Sequence, residues 1–319
     1  MPSQPTTPPA PATSPVDQAS TLRELAREHY ARAANATESN APAGQEGVVP
    51  GGPRVFTITS GKGGVGKTLV TANVALCLRR MGKRVLVLDA DLGLANIDIV
   101  LGIETEYDLS HVISGERSLS EVIVEGPEGI RIIPAASGDE NLANLDDNGR
   151  LNLVSQFEAL ESETDFLLID SAAGISSNVI FFNLAAQSPI VVTTPEPTSI
   201  TDAYAIIKVL SQDHHLTHFY LVVNRAKDEA EGQEVHQTLM RVSDRFLKSV
   251  AIEWLGFLPE DHRINRAIRS RQPVVLAYPR APITQAIESL SRRIAALPVR
   301  DQSAGYPGFM RGRLWRQNG

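Results

Sequence analysis

Four glycines, two lysines and a threonine fall within eight residues, Gly61-Lys62-Gly63-Gly64-Val65-Gly66-Lys67-Thr68, between an apolar β-rich run and a helical one. The spacing Gly-x4-Gly-Lys-Thr in that setting is the pattern of a nucleotide phosphate loop. Glycines allow the tight turns that aim several backbone N–H groups at phosphate oxygens. The start of the following helix adds its dipole, and Lys67 a point charge for the β- and γ-phosphates. The Thr68 hydroxyl suits Mg2+, a hard cation that takes oxygen ligands. A glycine-rich structural turn would require neither the two lysines nor the threonine.

Two acidic strand ends belong to the same chemistry. The run Arg84–Asp89 leads into Asp89-Ala90-Asp91, and Phe166–Asp170 leads into Ser171-Ala172-Ala173-Gly174. Ligands of open α/β sheets bind beyond the carboxyl ends of the strands, so Asp89, Asp91 and Asp170 are expected to face the phosphates. A third strand end, Val222-Val223-Asn224-Arg225, brings an amide and a guanidinium to the same edge.

The elements that position these residues are legible as apolar runs alternating with helical patterns. Val55–Ser60, Arg84–Asp89, Ile130–Pro134, Phe166–Asp170, Ile190–Thr194, Phe219–Asn224 and Trp254–Leu258 read as strands, most of them apolar throughout and therefore covered on both faces. Thr68–Met81, Leu151–Glu161, Ser199–Gln212, Gln233–Val250, His262–Arg271 and Pro282–Leu297 read as helices. The fold class is α/β, a doubly wound and mostly parallel sheet of about seven to eight strands with helices on both faces. No repeat of solenoid period is visible.

Composition narrows the function. The chain carries a net charge of −7, which gives no general footprint for nucleic acid, and no direct nucleic-acid partner is expected. Its single cysteine, Cys77, excludes a disulfide framework and any metal site needing two thiolates, and its apolar neighbours place it in the core. No apolar run approaches the ~18 residues of a membrane span, and the N-terminus has no charged-then-apolar leader pattern, so a cytoplasmic location is expected.

Lys62, the second lysine of the loop, distinguishes it from an ordinary Walker A sequence and resembles the signature lysine of the MinD/ParA family of deviant-Walker ATPases. The resemblance covers residues 54–297. It implies ATP and Mg2+ as cofactors and an ATP-bound homodimer in which Lys62 reaches the partner's phosphates, so that hydrolysis depends on assembly in the manner of an arginine finger. It further implies that Asp91 orients the attacking water, that Asp89 and Asp170 belong to the magnesium environment with Thr68, and that Asn224, beside Arg225, reads the adenine edge. No Asn-Lys-x-Asp guanine-reading pattern occurs, which favours ATP over GTP.

Within that family three segments resemble the FlhG (FleN) group of flagellar-number regulators: Asp89-Ala90-Asp91-Leu92-Gly93-Leu94-Ala95-Asn96, Asp17-Gln18-Ala19-Ser20-Thr21-Leu22-Arg23 and Glu196-Pro197-Thr198-Ser199-Ile200-Thr201-Asp202-Ala203-Tyr204. The last is expected to start a helix capped near Thr198 and is assigned no chemistry. Residues 1–15 form a Pro/Ser/Thr-rich disordered tail, 16–33 a short amphipathic helix, 34–53 a linker, and 298–319 a C-terminal tail. By resemblance, Asp17, Gln18, Ala19, Leu22 and Arg23 stimulate an FlhF-like signal-recognition-type GTPase, and a FleQ-like transcription activator is a second partner. Phe309, Met310, Leu314 and Trp315, interleaved with arginines, offer an anionic membrane surface aromatic and basic groups, although Gly308 and Gly312 weaken a helix there. The resemblance thus implies reversible membrane association at the cell pole. MinD-type septum positioning and ParA-type partition share the nucleotide chemistry and stay open as alternatives.

Overall fold

The computed structural model describes residues 52–91, 96–135, 153–186 apart from 154 and 158, 189–247 and 249–298. The chain divides into two units, Met1–Pro50 and Gly51–Gly319, and every described residue lies in the second. The Asp17–Arg23 segment, the Phe309–Trp315 segment and residues 92–95 lie outside the described residues.

In chain order the first half comprises β1 (Arg54–Ser60), α1 (Lys67–Arg80), β2 (Val85–Ala90), α2 (Ile97–Leu101), α3 (Leu109–Ile113), α4 (Leu119–Val122), β3 (Val124–Glu125), β4 (Arg131–Ile133) and β5 (Phe166–Ala173). There follow α5 (Ser177–Ala185), β6 (Ile190–Thr193), α6 (Pro197–Gln212), β7 (His218–Ala226), α7 (Glu229–Phe246), β8 (Ala251–Pro259), α8 (His262–Arg269), α9 (Val274–Ala277) and α10 (Pro282–Ala296). One eight-stranded sheet runs β3-β4-β2-β5-β1-β6-β7-β8, parallel throughout except for the β3–β4 pair at one edge. The order reverses around β1, which lies between β5 and β6, and the crevice at such a reversal is where open α/β sheets bind ligands.

The period-2 alternation of β1 shows how the sheet is covered. Phe56 and Ile58 pack with α1 and α10, through Val70, Val74, Ile287 and Leu290. The opposite face of β1 carries Val55, which joins α3 and α5 in a second core, and two polar residues. Thr57 donates to the Phe182 carbonyl at 2.7 Å, and Thr59 accepts from Asn183 Nδ2 at 3.1 Å, so both hydroxyls are satisfied by α5. A third core seats α6 and α7 on β6 and β7, with Ile206, Leu210, Val235 and Leu239 against Phe219 and Leu221. Full burial of each such side chain contributes about 1.5–3 kcal/mol.

Strand positions follow the sequence expectation closely, because fully apolar runs permit little else. The departures are short or aperiodic elements. β3 spans two residues, and α2, α3 and α4 four or five each, too few to show a period. Helix α5, Ser-Asn-Val-Ile-Phe-Phe-Asn-Leu-Ala, is buried on nearly every side and so lacks an apolar stripe. Cys77 is buried in the core beside α10, and burial pushes its thiol up to about 11.

Arg54 clasps the two ends of the domain. Its guanidinium lies over the rings of Phe56 and Phe166, 5.4 and 5.0 Å from their centroids. It donates to the carbonyls of Ala295 (2.7 Å), Ile294 (3.1 Å) and Leu297 (2.7 Å) at the end of α10, where carbonyls run short of helical N–H partners. Arg54→Leu keeps apolar contact with the rings and removes every donor. It is expected to destabilise the protein by about 2–4 kcal/mol, read from urea unfolding midpoints at unchanged m-value.

Candidate functional site

The phosphate loop joins β1 to α1. Gly64 and Gly66 take φ of 77° and 96°, left-handed geometry that glycine adopts without steric penalty. Gly66 is also the N-cap of α1, with no side chain capping the first turn, so the N–H groups of that turn stand ready for an anion. Lys67 is buried at the head of α1. Burial lowers its pKa, while Asp170 and Asp91 act in the opposite direction. A buried ammonium between two carboxylates and a ring of N–H donors has the charge pattern for a triphosphate.

Asp89 and Asp170 are register partners on β2 and β5, both almost wholly buried. Asp170 accepts from Thr71 Oγ1 at 3.2 Å and also from the Thr68 hydroxyl; burial raises its carboxyl to about 6, against the pull of Thr68 and Lys67. Thr68 and Asp170 therefore present adjacent oxygen atoms at the head of α1, a donor set that fits Mg2+. Among the described residues no group of three or more His, Cys, Asp or Glu side chains could hold a metal alone. Mg2+ would thus take one or two protein oxygens and the rest from phosphates and water, which is its habit in nucleotide sites.

Asp89, expected in the magnesium environment, also holds the backbone that follows β2. Its Oδ1 accepts from the Asp91 N–H at 3.1 Å, and its Oδ2 from the N–H groups of Asn96 and Ile97, each at 3.3 Å. Burial, and next the charge of Asp170, raise its pKa. With both oxygens engaged by backbone donors, Asp89 anchors the loop that bears Asp91 and starts α2. Asp91 lies at the end of β2, partly exposed, close enough to Lys67 for their charges to interact.

Asn224, near the end of β7, is buried under the phosphate loop. Its Nδ2 donates to the Val65 carbonyl at 2.7 Å and its Oδ1 accepts from the Arg225 N–H at 2.9 Å. The amide expected to read a base edge thus braces the loop. A Cβ built on Gly66 would overlap Asn224 Nδ2, which gives that glycine a second reason besides its φ. Arg225 is exposed in the left-handed region, at φ 57°.

Lys62 pairs across the fold with the start of α6. Its Nζ is 2.8 Å from Glu196 Oε2 and 3.0 Å from Thr198 Oγ1. The start of α6 differs from the cap expected near Thr198. The N-cap of α6 is Glu196, followed by Pro197 at the first helical position, and no side chain caps it. The Thr198 hydroxyl, expected near the cap, accepts from Lys62 instead. Gly61 meets the same helix, since a Cβ there would overlap the Asp202 carbonyl. Glu196, Thr198 and Thr71 are site residues that motif reading missed: no local spacing announces partners 134 residues apart.

A glycine-built phosphate loop, a buried lysine at a helix start, a second loop lysine and two acidic strand ends define a P-loop nucleotide-binding protein of the deviant Walker class. Comparison with known proteins makes this specific. The sequence profile of the CobQ/CobB/MinD/ParA nucleotide binding domain matches residues 56–274. The antiactivator FleN of Pseudomonas aeruginosa is 40% identical over 261 residues, 82% of this chain and 93% of that protein. The flagellum site-determining protein YlxH of Helicobacter pylori is 34% identical, over 76% of this chain and 81% of its own. Among solved structures, the septum site-determining protein MinD complexed with Mg-ADP from Pyrococcus horikoshii superposes with a TM-score of 0.65 at 29% identity, covering 76% of this chain and 96% of that one. The chain belongs to the MinD/ParA family of nucleotide-binding proteins, and within it to the FleN group.

Proposed function

We propose that the protein is an ATP-driven dimerising switch that regulates the number and placement of flagella. ATP and Mg2+ are held by residues 61–68 with Thr68 and Asp170, two copies close over the nucleotides, and Lys62 of each serves the phosphates of the other. Asp91 orients the attacking water, and hydrolysis to ADP and phosphate returns the monomer. The N-terminal segment with Asp17, Gln18, Ala19, Leu22 and Arg23 stimulates an FlhF-like GTPase, a FleQ-like activator is restrained, and the tail with Phe309, Met310, Leu314 and Trp315 attaches the dimer reversibly to the polar membrane. Asn224 and Arg225 complete the nucleotide site.

What supports this reading most is the placement of Lys62, a cation on the phosphate loop whose Nζ is bonded to Glu196 and Thr198 and not to the loop's own cradle. The names of the similar proteins, an antiactivator and a flagellum site-determining protein, supply the biological direction.

Asp91→Ala separates the steps. It is expected to bind ATP and dimerise like wild type while turnover falls by about a hundredfold or more, since only the water loses its orienting group. Phosphate release and size-exclusion chromatography with ATP read the two effects. Wild-type turnover in this variant would refute the hydrolytic assignment. The flagellar assignment has its own test in the GTP turnover of the FlhF-like partner with a peptide spanning Ser14 to Ala33. Stimulation that disappears with Gln18→Ala and Leu22→Ala supports it, and no stimulation by either peptide sinks it.

A further inference from the structure

A surface unconnected with the phosphates stands out by charge. Between Asp261 and Glu288 the sequence holds five arginines, Arg263, Arg266, Arg269, Arg271 and Arg280, and neither an acidic residue nor a lysine, in a chain whose net charge is −7. The segment forms α8 and the turns around α9 up to the start of α10. Arg263 is paired with Asp261 at 3.0 Å, but Arg266, Arg269, Arg271 and Arg280 are exposed and form no ion pair among the described residues. Ile268 lies among them with 39% of its surface in water.

Two further features mark this surface. Arg271 follows α8 with φ of 50°, a left-handed position that glycine usually fills. Holding an arginine there costs about 1 kcal/mol, in a conformation that Glu128, His215, Arg225 and Ser249 share. The patch also abuts the nucleotide machinery. Helix α8 springs from the carboxyl end of β8, where the Glu260 N–H donates to the Ala226 carbonyl beside Asn224 and Arg225. Gly102, at the end of α2, leaves no room for a side chain against the Arg271 carbonyl, and the start of α2 hangs from the Asp89 carboxylate.

We propose that α8 and the turn after it form a docking surface for an acidic segment of a partner protein, whose carboxylates pair with Arg266, Arg269 and Arg271 and whose apolar side chain covers Ile268. Guanidinium forks suit carboxylates in two-point contacts. Phosphates would use the forks equally well but would gain nothing from Ile268. An extended polyanion, duplex DNA or an anionic bilayer, must also lie against the acidic remainder of the molecule. A short peptide meets the arginines alone, within the ~8 Å range of charge interactions at physiological salt. Because α2 touches the patch at one end and Asp89 at the other, occupancy would be felt at the loop carrying Asp91.

Fluorescence anisotropy with the full-length chain tests the proposal. The probe is a labelled short peptide of Glu and Asp around one central Leu. Salt-sensitive binding is expected, weakened about tenfold by the double variant Arg266→Glu/Arg269→Glu, and severalfold by Ile268→Ser or by a Leu-to-Gly peptide. The pair Arg241→Glu/Arg245→Glu makes the same charge change on α7 and should leave binding intact. Melting midpoints and ATP turnover establish that each variant is folded. Equal weakening by the α7 pair would overturn the proposal, as would absence of peptide binding to wild type. It also falls if random duplex DNA or phosphatidylglycerol vesicles bind more tightly than the peptide and are what the α8 variant loses.

Discussion

Lys62→Ala is expected to bind ATP nearly as wild type does and to turn it over at least about a hundredfold more slowly, an effect in the range of a lost arginine finger. The two loop lysines divide the work by position. Lys67 is buried at the head of α1, within the electrostatic reach of Asp170 and Asp91, and in the proposed dimer it would serve the phosphates of its own subunit. Lys62 is 37% exposed and paired with a Glu196 that is 58% exposed, so its ammonium is already committed to the start of α6. An ion pair this open to water is weak and yields readily to a triphosphate offered by a second copy. Glu196→Gln removes the competing charge and leaves the Thr198 contact; it is expected to lower the ATP concentration needed for dimerisation. Nucleotide titration, phosphate release and size-exclusion chromatography on the two variants check the pair. Wild-type turnover in Lys62→Ala would show that this lysine acts on no phosphate.

The parts of the site legible in the sequence are those fixed by local spacing. A phosphate loop needs glycines at set offsets next to a strand and a helix, and residues 61–68 satisfy that whatever the rest of the chain does. The strands were legible because a sheet buried on both faces requires continuous apolar runs, as in Phe166–Asp170. What stayed hidden depends on contacts across the fold. Family resemblance gives Asp89 a place in the magnesium environment, and nothing local to the strand shows its backbone contacts. Only the fold brings the N–H groups of Asp91, Asn96 and Ile97 to its oxygens. Glu196 belongs to a segment read only as a helix start, and its pairing with Lys62 arises because β6 adjoins β1 in the sheet. Sheet order places one strand end beside another, and no periodicity within either segment encodes that.

Gly66→Ala should have the other large effect, a loss of ATP affinity of about a hundredfold or more in a chain that still folds. Two separate obstacles meet at this residue. At φ 96° an alanine is strained by about 1–2 kcal/mol, and its Cβ would overlap Asn224 Nδ2. Relief requires either the turn or the Asn224 amide to move, and the amide is held by its 2.7 Å bond to the Val65 carbonyl. Moving it frees a carbonyl inside the loop, and moving the turn re-aims the N–H groups at the head of α1. Both paths spoil the phosphate cradle while the strands and the three cores are untouched, so the melting midpoint without nucleotide should fall by only a few degrees. Calorimetric titration with ATP, on Gly66→Ala alone and combined with Asn224→Ala, separates the obstacles. The second substitution removes the overlap but not the strain and should restore part of the lost affinity. If Gly66→Ala alone bound ATP as wild type does, the left-handed turn would have no part in holding phosphate.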